Sequence, residues 1–255
     1  MRLFDVLGPV MIGPSSSHTA GAARIGYTAQ KLLGEIPAQA DIGLYGSFAT
    51  TGKGHGTDKA LIAGLLGMRP DDIRIPDSFF LAKKDGMEFS FSTITLKDAH
   101  PNTAVLRLTG EHGRKIEVQA ASIGGGRILI AKLDGIEVNF SAEKPTLIVH
   151  NVDQPGHVAQ VTSMLAEKQV NIATLQLYRD KRGGYAVMVI ETDQEVPEES
   201  VAWLEQLLLK RKGALLMVTH DRHLMNSLAC PILYLEDGKA VLYPSYDALS
   251  QSFLR

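Results

Sequence analysis

Three hydroxyls and an imidazole stand in a row at Gly13-Pro14-Ser15-Ser16-Ser17-His18-Thr19, directly before a stretch with helical spacing. The first N–H groups of a helix have no partners inside it, and with nearby hydroxyls they make a site for an anion such as a carboxylate. A lone serine there would read as a helix cap and nothing more. Three serines with a histidine and flanking glycines point to a ligand. A second cluster, Gly52-Lys53-Gly54-His55-Gly56-Thr57-Asp58, follows Gly46-Ser47-Phe48-Ala49-Thr50-Thr51. It fails the phosphate-loop pattern GxxxxGK[ST], because its first glycine is one residue too far away and Gly54 replaces the magnesium-binding hydroxyl. That excludes nucleotide binding here. The glycines instead let backbone approach a small polar ligand, with one Lys, one His and one Asp at hand. His100-Pro101-Asn102-Thr103 and Ser122-Ile123-Gly124-Gly125-Gly126 are weaker signals, each equally readable as a turn. His112 and His150 read as structural. No His and carboxylate spacing suggests a compact metal site, and none gives a Ser–His–Asp arrangement.

These residues need elements to hold them. Thr19–Leu33 carries apolar residues at helical spacing, and Asp58–Leu66 is a second apolar helix. Asp41–Tyr45 is a short strand, and the segment between it and Asp58 is a glycine-dense loop. Glu88–Thr95, Ala104–Leu108 and Lys115–Ala120 alternate as strands. Lys144-Pro145 opens a new unit. There Thr146–Val152 is a strand, Pro155 stands at a first helical position behind an Asp cap, and the helix covers His157–Lys168. Strands Ile172–Tyr178 and Tyr185–Glu191 flank the turn Arg182-Gly183-Gly184. A helix over Glu198–Lys210 and a strand over Ala214–Thr219 would complete the order βαββαβ. Beyond them, Asp221–Ala229 reads as a helix and Ile232–Leu235 with Ala240–Tyr243 as a hairpin about Asp237-Gly238. The fold class is α+β, a mixed α/β chain, with mainly antiparallel strands plus helices in its N-terminal domain.

The chain has 255 residues, 45% hydrophobic and 21% charged, with a net charge of −2. That balance excludes wholesale disorder and gives no electrostatic reason for nucleic-acid binding. No apolar run reaches the ~20 residues of a membrane helix, and no signal-peptide pattern is present, so no membrane role and a cytoplasmic location are expected. Cys230 is the one cysteine, which excludes an internal disulfide and a cysteine-held cluster built from this chain alone.

The segments GPSSSHTAGAARIG (13–26), GSFATTGKGHGTDKAL (46–61), HPNT (100–103) and SIGGG (122–126) resemble the beta chains of bacterial iron–sulfur-dependent L-serine dehydratases. The resemblance covers about residues 1–197. It implies β-elimination of L-serine to pyruvate and ammonia, with a 4Fe-4S cluster as the Lewis acid. One thiolate cannot hold such a cluster, so a separate alpha chain is expected to supply it, in a hetero-oligomer. In that setting His18, His55 and Lys53 are the expected catalytic residues, and His55 is a proton carrier near neutral pH. Ser15, Ser16, Ser17, Thr19, Thr57 and Asn102 are the expected substrate-binding residues, and no metal ligand is expected in this chain. Residues 1–143 form the serine dehydratase beta-type domain. Residues 146–198, completed by 199–220, resemble an ACT domain, a small ligand-binding and pairing module. Its expected regulatory-ligand residues are Asp153, Pro155, Gly156, His157 and Asn171; the other reading is a module that pairs chains and binds nothing. Residues 199–255 resemble the end of an F-type ATP-binding cassette ATPase, through Ser200–Gln206, Gly213–Arg222 and Ile232–Lys239. No P-loop precedes them, so His220 is expected to be non-catalytic and the tail to be a fusion. A stand-alone serine sensor and an ATPase fragment are the competing readings.

Overall fold

The helix α1, Ala22–Leu33, buries Ala22, Ala23, Ile25, Gly26, Ala29 and Leu33 on one face. The facing helix α4, Thr57–Leu65, is buried along nearly its whole length. Small residues on both sides let the two backbones touch. A Cβ on Gly26 would stand 2.2 Å from Leu61 O, and one on Gly64 would stand 2.1 Å from Ala23 O. The N-terminal ends meet as well, where Thr19 Oγ1 donates to His55 O at 3.1 Å.

This is a computed structural model that describes residues 10–197 and the strands β10, Ile232–Glu236, and β11, Lys239–Tyr243. The expected helices Glu198–Lys210 and Asp221–Ala229, the expected strand Ala214–Thr219 and His220 lie outside the described residues. The described residues divide into two compact units. One runs to Glu111 and resumes over Lys115–Glu195; the other holds β10 and β11.

In the first unit, a π-helical turn over Ser16–Gly21 leads into α1. Strand β1 covers Pro37–Gly46. The chain then winds through two single turns, α2 (Ser47–Thr50) and α3 (Gly52–His55), before α4. After α5, Ser78–Lys84, come β2 (Glu88–Thr93), β3 (Asn102–Gly110), β4 (Lys115–Gly124), β5 (Arg127–Leu133) and β6 (Ile136–Phe140). The six strands form one sheet in the order β2-β1-β3-β4-β5-β6. Only β1 and β2 pair in parallel; the helices α2 to α5 make the long crossover that parallel pairing requires. Period-two alternation sets the faces: Ile136, Val138 and Phe140 are buried, while Glu137 and Asn139 are exposed. Helices α1 and α4 share one hydrophobic cluster with the sheet. Polar pairs include Arg107 with Glu117 at 2.6 Å and Ser90 with Asp41 at 2.6 Å.

Several expectations change. The loop expected before Asp58 is wound into α2 and α3, because the residues between its glycines are compatible with helix and each turn is closed by its own backbone bonds. The first helix starts at the serines rather than at Thr19, through the π turn. Helix α5 and strands β5 and β6 are additional. They are short, and the β4–β5 hairpin rests on Gly124, Gly125 and Gly126, all at positive φ.

The ACT-like part contains β7 (Thr146–Val152), α6 (His157–Glu167), β8 (Ile172–Arg179) and β9 (Tyr185–Thr192), with an antiparallel sheet in the order β7-β9-β8. The start of α6 differs from expectation. Gly156, at φ +97, precedes His157, and Pro155 lies outside the helix. Asp153 does not cap it, because its carboxylate accepts from Arg179 at 2.6 Å and from the Gly183 N–H at 3.1 Å. Tyr178 Oη accepts the Asn139 N–H at 3.1 Å, and Val187 and Val189 belong to the same hydrophobic cluster as Phe140. The β10–β11 hairpin matches the expected one, pairing Ile232 with Tyr243 and Glu236 with Lys239.

The helix crossing leaves no room for a methyl group. Gly64→Ala is expected to lower the unfolding free energy by about 1–3 kcal/mol or more, read by urea denaturation of the full chain. Gly54→Ala, whose Cβ would meet nothing within 4 Å, is the control and leaves the midpoint unchanged or raises it.

Candidate functional site

Strand β1 ends in a turn that glycine makes possible. Gly46 has φ +58 and ψ −125, and a Cβ there would stand 2.5 Å from Pro101 O. The chain reverses into α2 with the Ser47 N–H bonded to that same carbonyl at 2.8 Å. Ser47 Oγ then lies 3.0 Å from His18 Nε2. Thr51 Oγ1, one turn on, lies 3.1 Å from the same nitrogen and 3.1 Å from Ser47 Oγ.

His18 is set from the other side by the π turn. Ser15 caps it, its Oγ accepting the His18 N–H at 3.1 Å and standing 3.4 Å from His18 Nδ1. The fully buried Phe48 meets the imidazole edge-on at 5.4 Å between ring centres, and the His55 ring is 5.1 Å away. Burial holds the His18 pKa below the ordinary histidine value; His55 pushes in the same direction, and a hydrogen bond with the Ser47 backbone opposes them. These effects favour the neutral ring.

The two weaker segments close the same cluster. Asn102 donates its side-chain N–H to Ser122 O at 3.5 Å, and its backbone N–H to His100 Nδ1 at 3.1 Å. Ser122 is wedged against Gly21, where a Cβ would stand 2.0 Å from Ser122 Oγ. Arg24 donates to Gly126 O at 3.2 Å. The tertiary fold thus brings all four segments singled out in the sequence to one place.

Of the expected catalytic residues, His18 and His55 are adjacent. Lys53 lies on α3, but its side chain is outside the described residues. Ser15, Ser16 and Ser17 are half-buried on and before the π turn, and Thr19 is buried with its hydroxyl on His55 O. Thr57 begins α4, fully buried, with no hydrogen-bond partner for its hydroxyl among the described residues; the Ser122 hydroxyl is in the same condition. A buried hydroxyl without a partner costs about 1–3 kcal/mol. Sequence reasoning missed Ser47, Thr51 and Ser122 as site residues. All three nevertheless lie inside segments singled out in the sequence, Ser47 and Thr51 in 46–61 and Ser122 in 122–126.

Two helices direct their N-terminal ends here, the π turn leading into α1 and the first turn of α4. Their dipoles add a positive potential to unpaired N–H groups and hydroxyls. The arrangement suits a small ligand bearing a carboxylate, beside a neutral imidazole able to donate or accept a proton.

The expected regulatory residues do not come together within one chain. Asp153, Pro155, Gly156 and the buried His157 share the β7–α6 loop. Asn171 precedes β8, at the opposite end of the sheet. Val152 pairs with Tyr185 and Ile172 with Thr192, seven residues further along β9, a separation of roughly 20 Å. There Asn171 donates to Asp193 at 2.5 Å. The Gly183 N–H and then Arg179 hold the Asp153 carboxyl below the usual carboxylate range, so it is an occupied anion.

The family described as serine dehydratase beta chain matches residues 3–132, and the ACT domain family matches residues 145–208. The chain is 42% identical over 205 residues to the probable L-serine dehydratase beta chain of Bacillus subtilis (strain 168), covering 80% of this chain and 93% of that one. It is 40% identical over 196 residues to the L-serine dehydratase beta chain of Peptoniphilus asaccharolyticus, covering 76% and 88%. A 102-residue stretch is 30% identical to D-3-phosphoglycerate dehydrogenase of Methanocaldococcus jannaschii, covering 40% of this chain and 20% of that one.

The lowered His18 pKa has a sign for stability. As pH falls, the unfolded chain takes up this proton first, near 6.5, so the folded state loses stability as pH drops through that value. Wild-type chain is expected to lose more unfolding free energy between pH 7.5 and 5.5 than His18→Gln, measured by urea titration at both pH values.

Proposed function

The chain belongs to the serine dehydratase beta chain family, and from that premise we propose that it is the beta subunit of an L-serine ammonia-lyase, converting L-serine to pyruvate and ammonia. The observation that carries this reading is the packing of the four motif segments against one another around the turn that bears His18, at two helix N-terminal ends.

The reaction removes a weakly acidic α-proton and a hydroxide from serine; the enamine formed becomes an imine, and water hydrolyses it to pyruvate and ammonia. A 4Fe-4S cluster needs three or four thiolates, whereas this sequence holds one cysteine, Cys230. Among the described residues no group of three or more His, Cys, Asp and Glu could hold a metal ion. The donor set of this chain therefore does not fit the cluster, and we assign the cluster to a separate alpha chain. This chain forms the wall that receives the amino acid. The N–H groups and hydroxyls of Ser15, Ser16 and Ser17 take the carboxylate. His18, neutral and held by hydroxyls, and the exposed His55 carry protons at the substrate. We assign Thr19, Thr57 and Asn102 to substrate binding and Lys53 to the catalytic group; the Thr57 hydroxyl, without a partner among the described residues, gains one when substrate binds.

The ACT-like part pairs chains or binds an amino acid. Since Asn171 and Asp153 stand at opposite ends of one sheet, a ligand touching both requires two chains, which supports a dimer through this part. We keep the division into 1–143, 146–198 and 199–255, with the ACT-like part completed by 199–220; the ACT match extending to residue 208 supports that completion. The tail keeps its reading as an ATPase-like fusion. No helix among the described residues is long and apolar enough to cross a membrane. We place the assembly in the cytoplasm, whose reducing conditions suit cluster thiolates.

Co-expressed with its alpha chain and with the cluster reconstituted, the complex is expected to release pyruvate from L-serine. His18→Ala is expected to lower kcat/KM about 100-fold, and undiminished turnover would discard the site. Cys230→Ser is expected to leave the iron and sulfide content of the complex unchanged; loss of iron would place the cluster partly in this chain.

A further inference from the structure

Ser47 occupies a position that a glycine before it makes reachable. Gly46 adopts a conformation closed to other residues, against the Pro101 carbonyl, and this directs Ser47 Oγ to within 3.0 Å of His18 Nε2. Thr51 supplies a second hydroxyl at 3.1 Å from the same nitrogen, and its own bond to Ser47 O, at 2.9 Å, closes the turn around both. We propose that Ser47 and Thr51 are positioning residues that aim the His18 ring at the substrate and support it in both neutral tautomers. The inference rests on the reading of His18 as a group that meets serine.

A hydroxyl both donates and accepts. With the proton on Nε2, both oxygens accept from it; with the proton on Nδ1, one hydroxyl donates to Nε2 and Ser15 Oγ accepts from Nδ1. A carboxylate in their place would lock one tautomer, as it does for many histidines. The hydroxyl pair keeps Nε2 partnered whichever way its proton stands, so Nδ1 can take a proton from substrate or return one in place of its long contact with Ser15 Oγ. Phe48, edge-on to the ring, fixes the ring plane. The Ser47 hydroxyl is not needed to build the turn, because the Ser47 N–H is already bonded to Pro101 O.

The test is a double-mutant cycle in the alpha–beta complex. Ser47→Ala is expected to lower kcat about tenfold, the size of one hydrogen bond to a reacting group, and to have no further effect in a His18→Ala background. Thr51→Val is expected to lose activity and Thr51→Ser to keep it. A second readout needs no turnover: in the full chain alone, the imidazole 1H–15N signals of His18, identified by their loss in His18→Ala, shift in Ser47→Ala and stay in Thr51→Ser. Additive losses, or an unchanged His18 spectrum in Ser47→Ala, overturn the inference alone. Full turnover in His18→Ala overturns the site reading and this inference with it.

Discussion

Gly26 and Gly64 bring two helix backbones into direct contact, and much of the site's geometry depends on that contact. Were either helix displaced outward by a side chain, the ends carrying Thr19 and His55 would separate, and with them the two sets of unpaired N–H groups. The sheet supplies the other fixed reference. Strand β1, one in from the edge, runs between β2 and β3, is buried on the helix side at Ala40 and Ile42, and delivers Gly46 to the same end as the helix N-terminal ends. A polar site is thus placed at the rim of an apolar core, where Ser15, Ser16 and Ser17 are half-buried.

The local chemistry follows from the use of neutral partners around His18. Serine and threonine hydroxyls, a phenyl edge and a second imidazole surround it, and burial disfavours its charged form. A neutral ring near two helix N-terminal ends leaves the positive potential free for an incoming anion. Among the described residues the buried hydroxyls of Thr57 and Ser122 lack partners, a cost that the proposed site offsets for Thr57 when substrate binds.

The ACT-like part is joined to this frame through the last strand of the large sheet. Tyr178 takes up the backbone N–H of Asn139 on β6, and Val187 and Val189 extend the apolar cluster that includes Phe140. An edge strand that would otherwise expose its backbone is covered in this way. Within that part, Asp153 ties the β7–α6 loop to the β8–β9 hairpin through Arg179 and Gly183, a structural use for a residue whose sequence position suggested a cap or a ligand.

Residue type and local period determined a good deal by themselves. The serine–histidine run, the glycine-dense run, the single cysteine and the helices around Ile25 and Leu61 could be read directly, because capping, periodicity and thiolate counting are local properties. Strands such as Arg127–Leu133 and Ile136–Phe140 escaped that reading although Ile136–Phe140 alternates and Asp134-Gly135 between them marks a hairpin, since runs of seven and five residues offer few periods to count. What only the tertiary structure decided were relations between distant positions. Ser47 and Thr51 reach His18 across 29 and 33 residues, and Ser122 fills the space that Gly21 leaves empty. Asn171 lies far from Asp153 because strand register, set by pairing with β9, places them at opposite ends. Such relations come from long-range packing and pairing, which no window of neighbouring residues contains.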